Sequence, residues 1–369
     1  MKSSKETIKH IIFQHPDGRY VDLRDIHRGG HVFLIASGPS TKDMDLTPLK
    51  SPGIMTMTMN NSIAAVRTSK KPYFLRPNFW CCVDPPDRFF LSIHRDPAVM
   101  KFYPRRFSEK ALWDAETYTE SRYKVGDCTN IFEFERNNCF NERKWIIEPT
   151  LNWGNHKDRY VKDPKTNKKI NGKRSVMLPS IKILLMLGFR HIYLVGCDFN
   201  MQPDRPYAFD QEKHAGGCKS NNKSYEGLNA FFRLLKPQFD SIGLKIYNTN
   251  PKSNLTAFNF IDFQKALDQA FEYYNVRPEK EKARGMYTDL KDKRNMGINA
   301  ELNLGEFKTK TKYDLNKLVG ACTKINIKEV EKENMESEIK LKKEIKIELG
   351  EYKVKEKPVE EFLKMLKAA

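Results

Sequence analysis

The residues best suited to chemistry in this chain stand where apolar runs stop. Residues 31–36, HVFLIA, end on Ser37-Gly38-Pro39-Ser40. A glycine there permits backbone angles that aim successive N–H groups into one concavity, and it permits close approach of a ligand. The two hydroxyls are further donors, and the following STKDMD can open a helix whose positive end faces the same spot. These are the parts of an anion cradle, although Gly-Pro-Ser is also ordinary turn chemistry. The turn has neither the GxxxxGK[ST] nor the GxGxxG spacing of the familiar phosphate loops. Asn60 and Asn61 follow the alternating run GIMTMTM and offer amides suited to a base edge or a ribose, or to turn formation. Asp84 precedes Pro85-Pro86 on a rigid turn that can face the same cleft, and Asp198 ends the run HIYLVG. Asp198 either caps its turn or accepts from a ligand hydroxyl. His214, in a glycine-rich stretch, is a candidate general base or a solvated loop histidine. Asp43-Met44-Asp45 has a DxD spacing known for holding divalent metal; several residues beyond a strand end, it reads more simply as acids at a helix start.

Positioning these residues requires strands that end at one edge. The runs HVFLIA, GIMTMTM, FWCCV, HIYLVG and GLKIYN each read as strands with polar turns behind them. Helical patterns lie between some of them. SVMLPSIKILLMLGF carries Ile181, Leu184, Leu185 and Leu187 on one face, with Pro179 in its first turn and Gly188 at its end. YEGLNAFFRLLKPQFDSIG reads as a helix ending near Pro237, and residues 262–274 as an amphipathic helix. Apolar strands alternating with helices predict an α/β fold with a mostly parallel sheet covered on both faces. Ligands bind such sheets beyond the carboxyl ends of the strands, so the five polar turns form one constellation. The expected organisation is a domain over residues 1–265 with a basic insert at 160–174, a helical extension over 266–323, and a charged tail over 324–369.

The chain has 369 residues and a net charge of +18. From residue 324 onward, 12 Lys stand against 11 acidic residues, so the excess belongs almost entirely to the first 323. A pI near 9.4 carried there implies either a polyanionic partner or a lysine-rich proteome. The insert holds Lys162, Lys165, Lys168, Lys169, Lys173 and Arg174, and KFYPRRF adds Arg105 and Arg106 among aromatics. Those residue types suit phosphate contact and base stacking. Seven cysteines, paired in sequence only as Cys81-Cys82, make neither a disulfide framework nor a zinc site. No apolar stretch approaches the ~20 residues of a membrane span, and no secretory h-region opens the chain. The expectation is a cytoplasmic protein without a metal.

The blocks LIASGPSTKDMDLTPL and SVMLPSIKILLMLGFRHIYLVGCDFNMQPDRPYAFD resemble the bacterial sialyltransferases that use CMP-sialic acid. They also resemble the related motility-accessory glycosyltransferases and archaeal hydroxymethylpterin pyrophosphokinases. The resemblance spans roughly residues 32–261 with gaps. It implies a Rossmann-like, GT-A-like, metal-independent transferase that takes a nucleotide-sugar as co-substrate and needs no other cofactor. By that resemblance Ser37, Gly38, Pro39 and Ser40 cradle the donor phosphate, while Asn60 or Asn61 and Asp84 contact the nucleotide. Asp84 stands where the family has an Asn. Ser175 matches a donor-contacting serine, and Tyr207 matches one of two tyrosines that bind the phosphate. Phe199 stands near the place of the second tyrosine. His214 is the nearest counterpart of the catalytic histidine, and Asp198 joins Tyr207 and His214 in the catalytic set.

A nucleotide-sugar carries its own leaving group, so the chain has to position two substrates, stabilise phosphate charge and supply one base. The basic charge points to DNA as acceptor, for instance a hydroxymethylated base of bacteriophage DNA reached in the groove or flipped out. A phage-encoded chain would act in the host cytoplasm. The alternatives are a pterin-type pyrophosphokinase, a carbohydrate sialyltransferase-like enzyme, and a non-catalytic module that kept the fold.

Overall fold

The computed structural model describes residues 13–66, 75–89, 91–114, 119–209 and 215–275, all of them within one compact unit, Met1–Glu279. His214, the charged tail and most of the expected helical extension lie outside the described residues.

In chain order the elements are β1 (Phe13–Gln14), β2 (Tyr20–Val21), β3 (His31–Ile35), β4 (Met55–Met59), α1 (Ile63–Val66), β5 (Phe79–Cys81), α2 (Leu91–Arg95) and β6 (Met100–Pro104). The hairpin β7 (Ala111–Asp114) and β8 (Thr119–Lys124) follows, then β9 (Ile131–Phe134), β10 (Arg136–Asn137) and β11 (Leu151–Asn152). A second hairpin, β12 (Tyr160–Lys162) and β13 (Lys169–Asn171), leads into α3 (Met177–Met186) and β14 (His191–Val195). The last described elements are α4 (Ala215–Ser241), β15 (Lys245–Asn248), β16 (Asn259–Phe260) and α5 (Phe263–Tyr274).

Ten of the described strands form one sheet in the order β16-β15-β14-β3-β4-β5-β6-β9-β1-β2. Every pairing from β16 to β9 is parallel, and β1 and β2 close the far edge in antiparallel fashion. The expected α/β class with a mostly parallel sheet is therefore the observed one. From β3 the chain builds outward through β4, β5 and β6, then returns to place β14 on β3's other side, with His191 opposite His31 and Val195 opposite Ile35. The order reverses between β3 and β14, which opens a crevice at their carboxyl ends.

Residues 32–35 of β3 are fully buried, as their uninterrupted apolar run requires of a strand covered on both faces. Val32 and Leu34 face the cluster containing α3 and α4, whereas Phe33 and Ile35 face the one containing Ala266, Leu267 and Ala270 of α5. In β4 the alternation divides Met57 and Met59 onto the α3 side. Every residue of α3 is buried, Lys182 included. Its ammonium donates to the carbonyls of Glu148 (2.7 Å) and Thr150 (3.0 Å). Burial pulls its pKa down to about 7 against the opposing attraction of Glu148.

Two expectations about helix ends change. α4 begins at Ala215, so Gly216 and Gly217 are helical and not loop, and it continues through Pro237 to Ser241. A proline inside a helix costs about 3 kcal/mol. Leu235 and Phe239, buried on either side of it, hold the helix to the core, with the Phe239 ring 5.5 Å from Trp145 and 6.5 Å from Phe258. The helix expected over 262–274 forms as α5, with the Asp262 side chain accepting from Lys265 N–H.

Two buried histidines make stability depend on pH. His94 sits among Trp80, Phe89 and Tyr103, and burial pulls its pKa to about 4. His31 stacks on His191 at 4.1 Å and is also held near 4, by burial and by the neighbouring His191 and Lys245 charges. Folded-state values below the ordinary 6.5 mean that both are neutral in native protein at pH 5, while the unfolded chain takes up the protons. Their stabilising contribution is full above pH 6.5 and is lost as the pH falls toward 4. Urea unfolding should show about 2 kcal/mol lost per histidine between pH 7 and pH 5, and His94→Leu should flatten that slope. An unchanged slope in the variant removes His94 from the linkage.

Candidate functional site

The turn after β3 is built against the turn after β14. Gly38 N–H donates to the Gly196 carbonyl at 2.9 Å, and Ala36 N–H to Val195 at 2.8 Å. A Cβ on Gly38 would lie 2.3 Å from the Gly196 oxygen and 2.6 Å from Asp198 Oδ2. Gly38 itself has φ −64° and ψ 146°, which any residue adopts. Glycine is needed for close approach here, and not for the unusual backbone angle that the sequence suggested.

Asp198 holds this junction together. Its Oδ2 accepts from Ser40 N–H at 2.8 Å, and its Oδ1 accepts from the Ser40 hydroxyl at 2.5 Å and from Asn250 Nδ2 at 2.8 Å. Three strand ends, those of β3, β14 and β15, meet on one carboxylate. Of the two roles the sequence allowed Asp198, its contacts are those of a cap. They also change the part expected of the SGPS turn, because both Ser40 donors and the Gly38 N–H are already engaged. The helix expected to start here is only a five-residue 3₁₀ turn, Pro39–Asp43.

Beside this junction lies an open cleft of about 160 Å³, smaller than the ~300–1,000 Å³ of sites that enclose a drug-sized ligand. Ser37, Gly38 and Pro39 line it, together with Asn60, Ser175, Asp198 and Tyr207. Seven of the residues singled out in the sequence therefore share one cavity. The Ser37 hydroxyl bonds to none of the described residues. Ser175, Val176 and Met177 bring the first turn of α3 into the cleft, with Ser175 Oγ accepting from Met177 N–H at 3.1 Å. A helix start leaves N–H groups without intrahelical partners and carries partial positive charge. Asn60 adopts φ 45°, and its Nδ2 donates to Asp84 Oδ2 at 3.3 Å. Its Oδ1, like that of Asn61, is buried without a hydrogen-bond partner among the described residues. Asp84 lies outside the lining and reaches the cleft through Asn60; Arg88 stands 3.9 Å from it.

Two tyrosines face this cleft. Tyr207 lies parallel to Phe209 with centroids 5.3 Å apart, and Ala208 N–H ties the segment to the Ser37 carbonyl. Tyr225, from α4, stacks on Phe199 at 4.9 Å. Burial raises the pKa of both phenols, so both are proton donors at neutral pH. Sequence reasoning missed Tyr225 because it sought a second tyrosine at the position of Phe199. The available signal was the helical spacing of Tyr225 from Leu228 and Asn229, which puts it one turn before buried residues.

Other expected residues are placed differently. Asp43 ends its 3₁₀ turn and pairs with Arg205 at 2.6 Å, while Asp45 accepts from Thr47 N–H. Asp43 is therefore not a helix-start acid. No group of three or more His, Cys, Asp or Glu is arranged to hold a metal among the described residues. The aromatics of KFYPRRF are core: Phe102, Tyr103 and Phe107 are buried, so they offer no stacking platform. Arg105 pairs with Glu135 at 2.9 Å, and Arg106 lies over the Phe107 ring. The basic insert is the hairpin β12–β13, with Lys162, Lys165, Lys168 and Lys169 exposed. Buried Asp163 anchors its turn to Arg233 of α4 at 2.6 Å, while Ile170 and Lys173 pack at Gly227. Six helical residues separate those two contacts, about 9 Å at 1.5 Å per residue. Of the insert's basic residues, Arg174 immediately precedes the cleft residue Ser175. No described helix is long and apolar enough to cross a membrane.

No protein-family model matches the chain, and a search of curated proteins finds no match. Among solved structures, the MAf glycosyltransferase from Magnetospirillum magneticum is similar at 14% identity and a TM-score of 0.36. That likeness covers 71% of this chain, which spans 40% of that protein's length. A variant of the sialyltransferase CST-II in complex with CMP is similar at 17% identity and a TM-score of 0.35, covering 63% of this chain and 86% of that one. CstII from Campylobacter jejuni, in complex with cytidine-5'-monophosphate as a substrate analogue, gives 16% and 0.32 over the same shares.

The junction predicts a graded response in urea unfolding. Gly38→Ala should cost about 1–3 kcal/mol by overpacking. Asp198→Asn should cost about 1–3 kcal/mol, because an amide NH₂ would face a donor. Ser37→Ala, whose hydroxyl bonds nothing described, should stay within about 0.5 kcal/mol. Equal losses at Ser37 and Asp198 would contradict the assignment of Asp198 as the brace.

Proposed function

We propose that this chain is a glycosyltransferase that moves a sugar from a nucleotide-sugar to an acceptor hydroxyl, with hydroxymethylated DNA of a bacteriophage as the acceptor. The observation that carries the reading is the convergence of Ser37, Asn60, Ser175, Tyr207 and Tyr225 with the start of α3 in one cleft, at the crevice where the sheet order reverses. Such crevices hold nucleotides in open α/β sheets.

The transfer needs little covalent help from the protein. The acceptor oxygen attacks the anomeric carbon while the bond from that carbon to the phosphate oxygen breaks. The electron pair leaves on the phosphate, and the hydroxyl proton passes to a base. The first-turn amides of α3 and the hydroxyls of Ser37 and Ser175 suit the phosphate charge, which grows as the bond breaks. Tyr207 and Tyr225, held protonated by burial, donate to the same oxygens. The free Asn60 Oδ1 accepts from the nucleoside. His214 is the proposed base, and no metal takes part.

A thermal-shift screen of CMP-, UDP- and GDP-sugars tests this. The true donor at about 100 times its Kd should add about 2.7 kcal/mol of stability. Digestion and nucleoside mass analysis of hydroxymethylated DNA incubated with that donor should then reveal the added hexose or sialyl mass. His214→Ala should abolish transfer and leave donor stabilisation intact. If no nucleotide-sugar shifts the melting temperature, the reading is wrong.

A further inference from the structure

Three arginines are stacked through two aromatic rings. Arg106 lies 4.6 Å and Arg136 5.6 Å from the Phe107 ring centroid. Arg136 lies 4.1 Å and Arg174 4.9 Å from the Trp153 ring centroid. The series Arg106–Phe107–Arg136–Trp153–Arg174 draws its members from the chain after β6, from β10, from the stretch after β11 and from the entry to α3. Like charges gathered this way repel, and burial together with Arg106 and Arg174 lowers the pKa of Arg136. None of the three forms an ion pair with a described carboxylate, in contrast to Arg105, which is matched by Glu135. The rings orient the guanidiniums without neutralising them.

One end and the middle of the series connect to the cleft. Arg174 immediately precedes Ser175, which lines it. Arg136 donates to the Val83 carbonyl, next to Asp84, whose carboxylate accepts from the cleft residue Asn60.

We propose that Arg106, Arg136 and Arg174 form a rail for successive phosphates of a nucleic-acid strand, registering the acceptor against the cleft. The rail rests on the transferase reading for its acceptor. Planar forks suit phosphate oxygens, and phosphate contacts fix register and orientation without reading sequence. The turn of the β12–β13 hairpin, carried away from the cleft toward Arg233, is not part of it.

The test uses the full chain and a fluorescein-labelled 12-nucleotide thymidine oligomer, followed by anisotropy between 0.05 and 0.3 M salt. Each single variant, Arg106→Gln, Arg136→Gln or Arg174→Gln, should reduce the salt slope by about 0.7, which is about five-fold weaker binding near 0.1 M. Lys165→Gln with Lys168→Gln in the hairpin turn should change binding less than two-fold. Thermal unfolding of each variant checks its fold. If half-buried Arg136→Gln does not fold, exposed Arg174→Gln decides the matter. Wild-type affinity and slope in Arg174→Gln overturn the rail. Binding of the dinucleotide TpT as tight as that of the 12-mer also overturns it, since one phosphate would then suffice. The two readings fail separately. Arginine-dependent strand binding with no stabilisation by any nucleotide-sugar keeps the rail and removes the transferase. Donor stabilisation with unaltered strand binding in the variants does the reverse.

Discussion

The carboxylate of Asp198 is the constraint around which the cleft is built. Three parallel strands end within its reach: β14 carries Asp198 itself, β3 delivers the Ser40 amide and hydroxyl, and β15 delivers the Asn250 amide. Charge-assisted bonds of this kind are about twice as strong as neutral ones. They draw the β3 turn so close to Gly196 that only glycine fits at position 38. The cost is that the turn resembling a phosphate cradle has few donors left, and it carries a negative charge beside it. The positive end of a helix dipole enters the cleft instead with the first turn of α3, delivered by a different stretch of chain.

That division of labour separates the part of the cleft that is braced from the part that is open to contact. The β3–β14 junction is rigid because its polar groups satisfy one another. The opposite wall retains an unsatisfied group, the Asn60 Oδ1, and the Ser37 hydroxyl on the junction itself bonds to none of the described residues. Buried polar atoms without partners are uncommon in folded proteins. Such an atom beside a braced junction gives this cavity a free acceptor.

Much of this was legible in the sequence, for definable reasons. Uninterrupted apolar runs ending in polar turns gave the parallel sheet, because a strand buried on both faces leaves no alternation to mislead. The same periodicity located α3 and α5, and the polar strand ends marked the edge where the cleft lies. What failed were inferences that depend on who occupies whom. Residue type does not reveal that Ser40 is engaged by a residue 158 positions away. Nor does it reveal that the aromatics of KFYPRRF point inward. Proline as a helix stop failed at position 237 because Leu235 and Phe239 pack on either side of it. Tyr225 escaped notice because a helix remote in sequence supplies what a strand-end loop was expected to supply.

The sheet's two margins bear on the handling of a chain with so large a parallel sheet. Both outermost strands, β16 and β2, are two residues long. Each nevertheless exposes an aromatic side chain, Phe260 at 52% and Tyr20 at 72%. A long flat margin is a template on which another molecule can extend the sheet. Among the described residues the template at each margin is two residues long, which leaves little length for a foreign strand to pair with, where many proteins rely on charged margins.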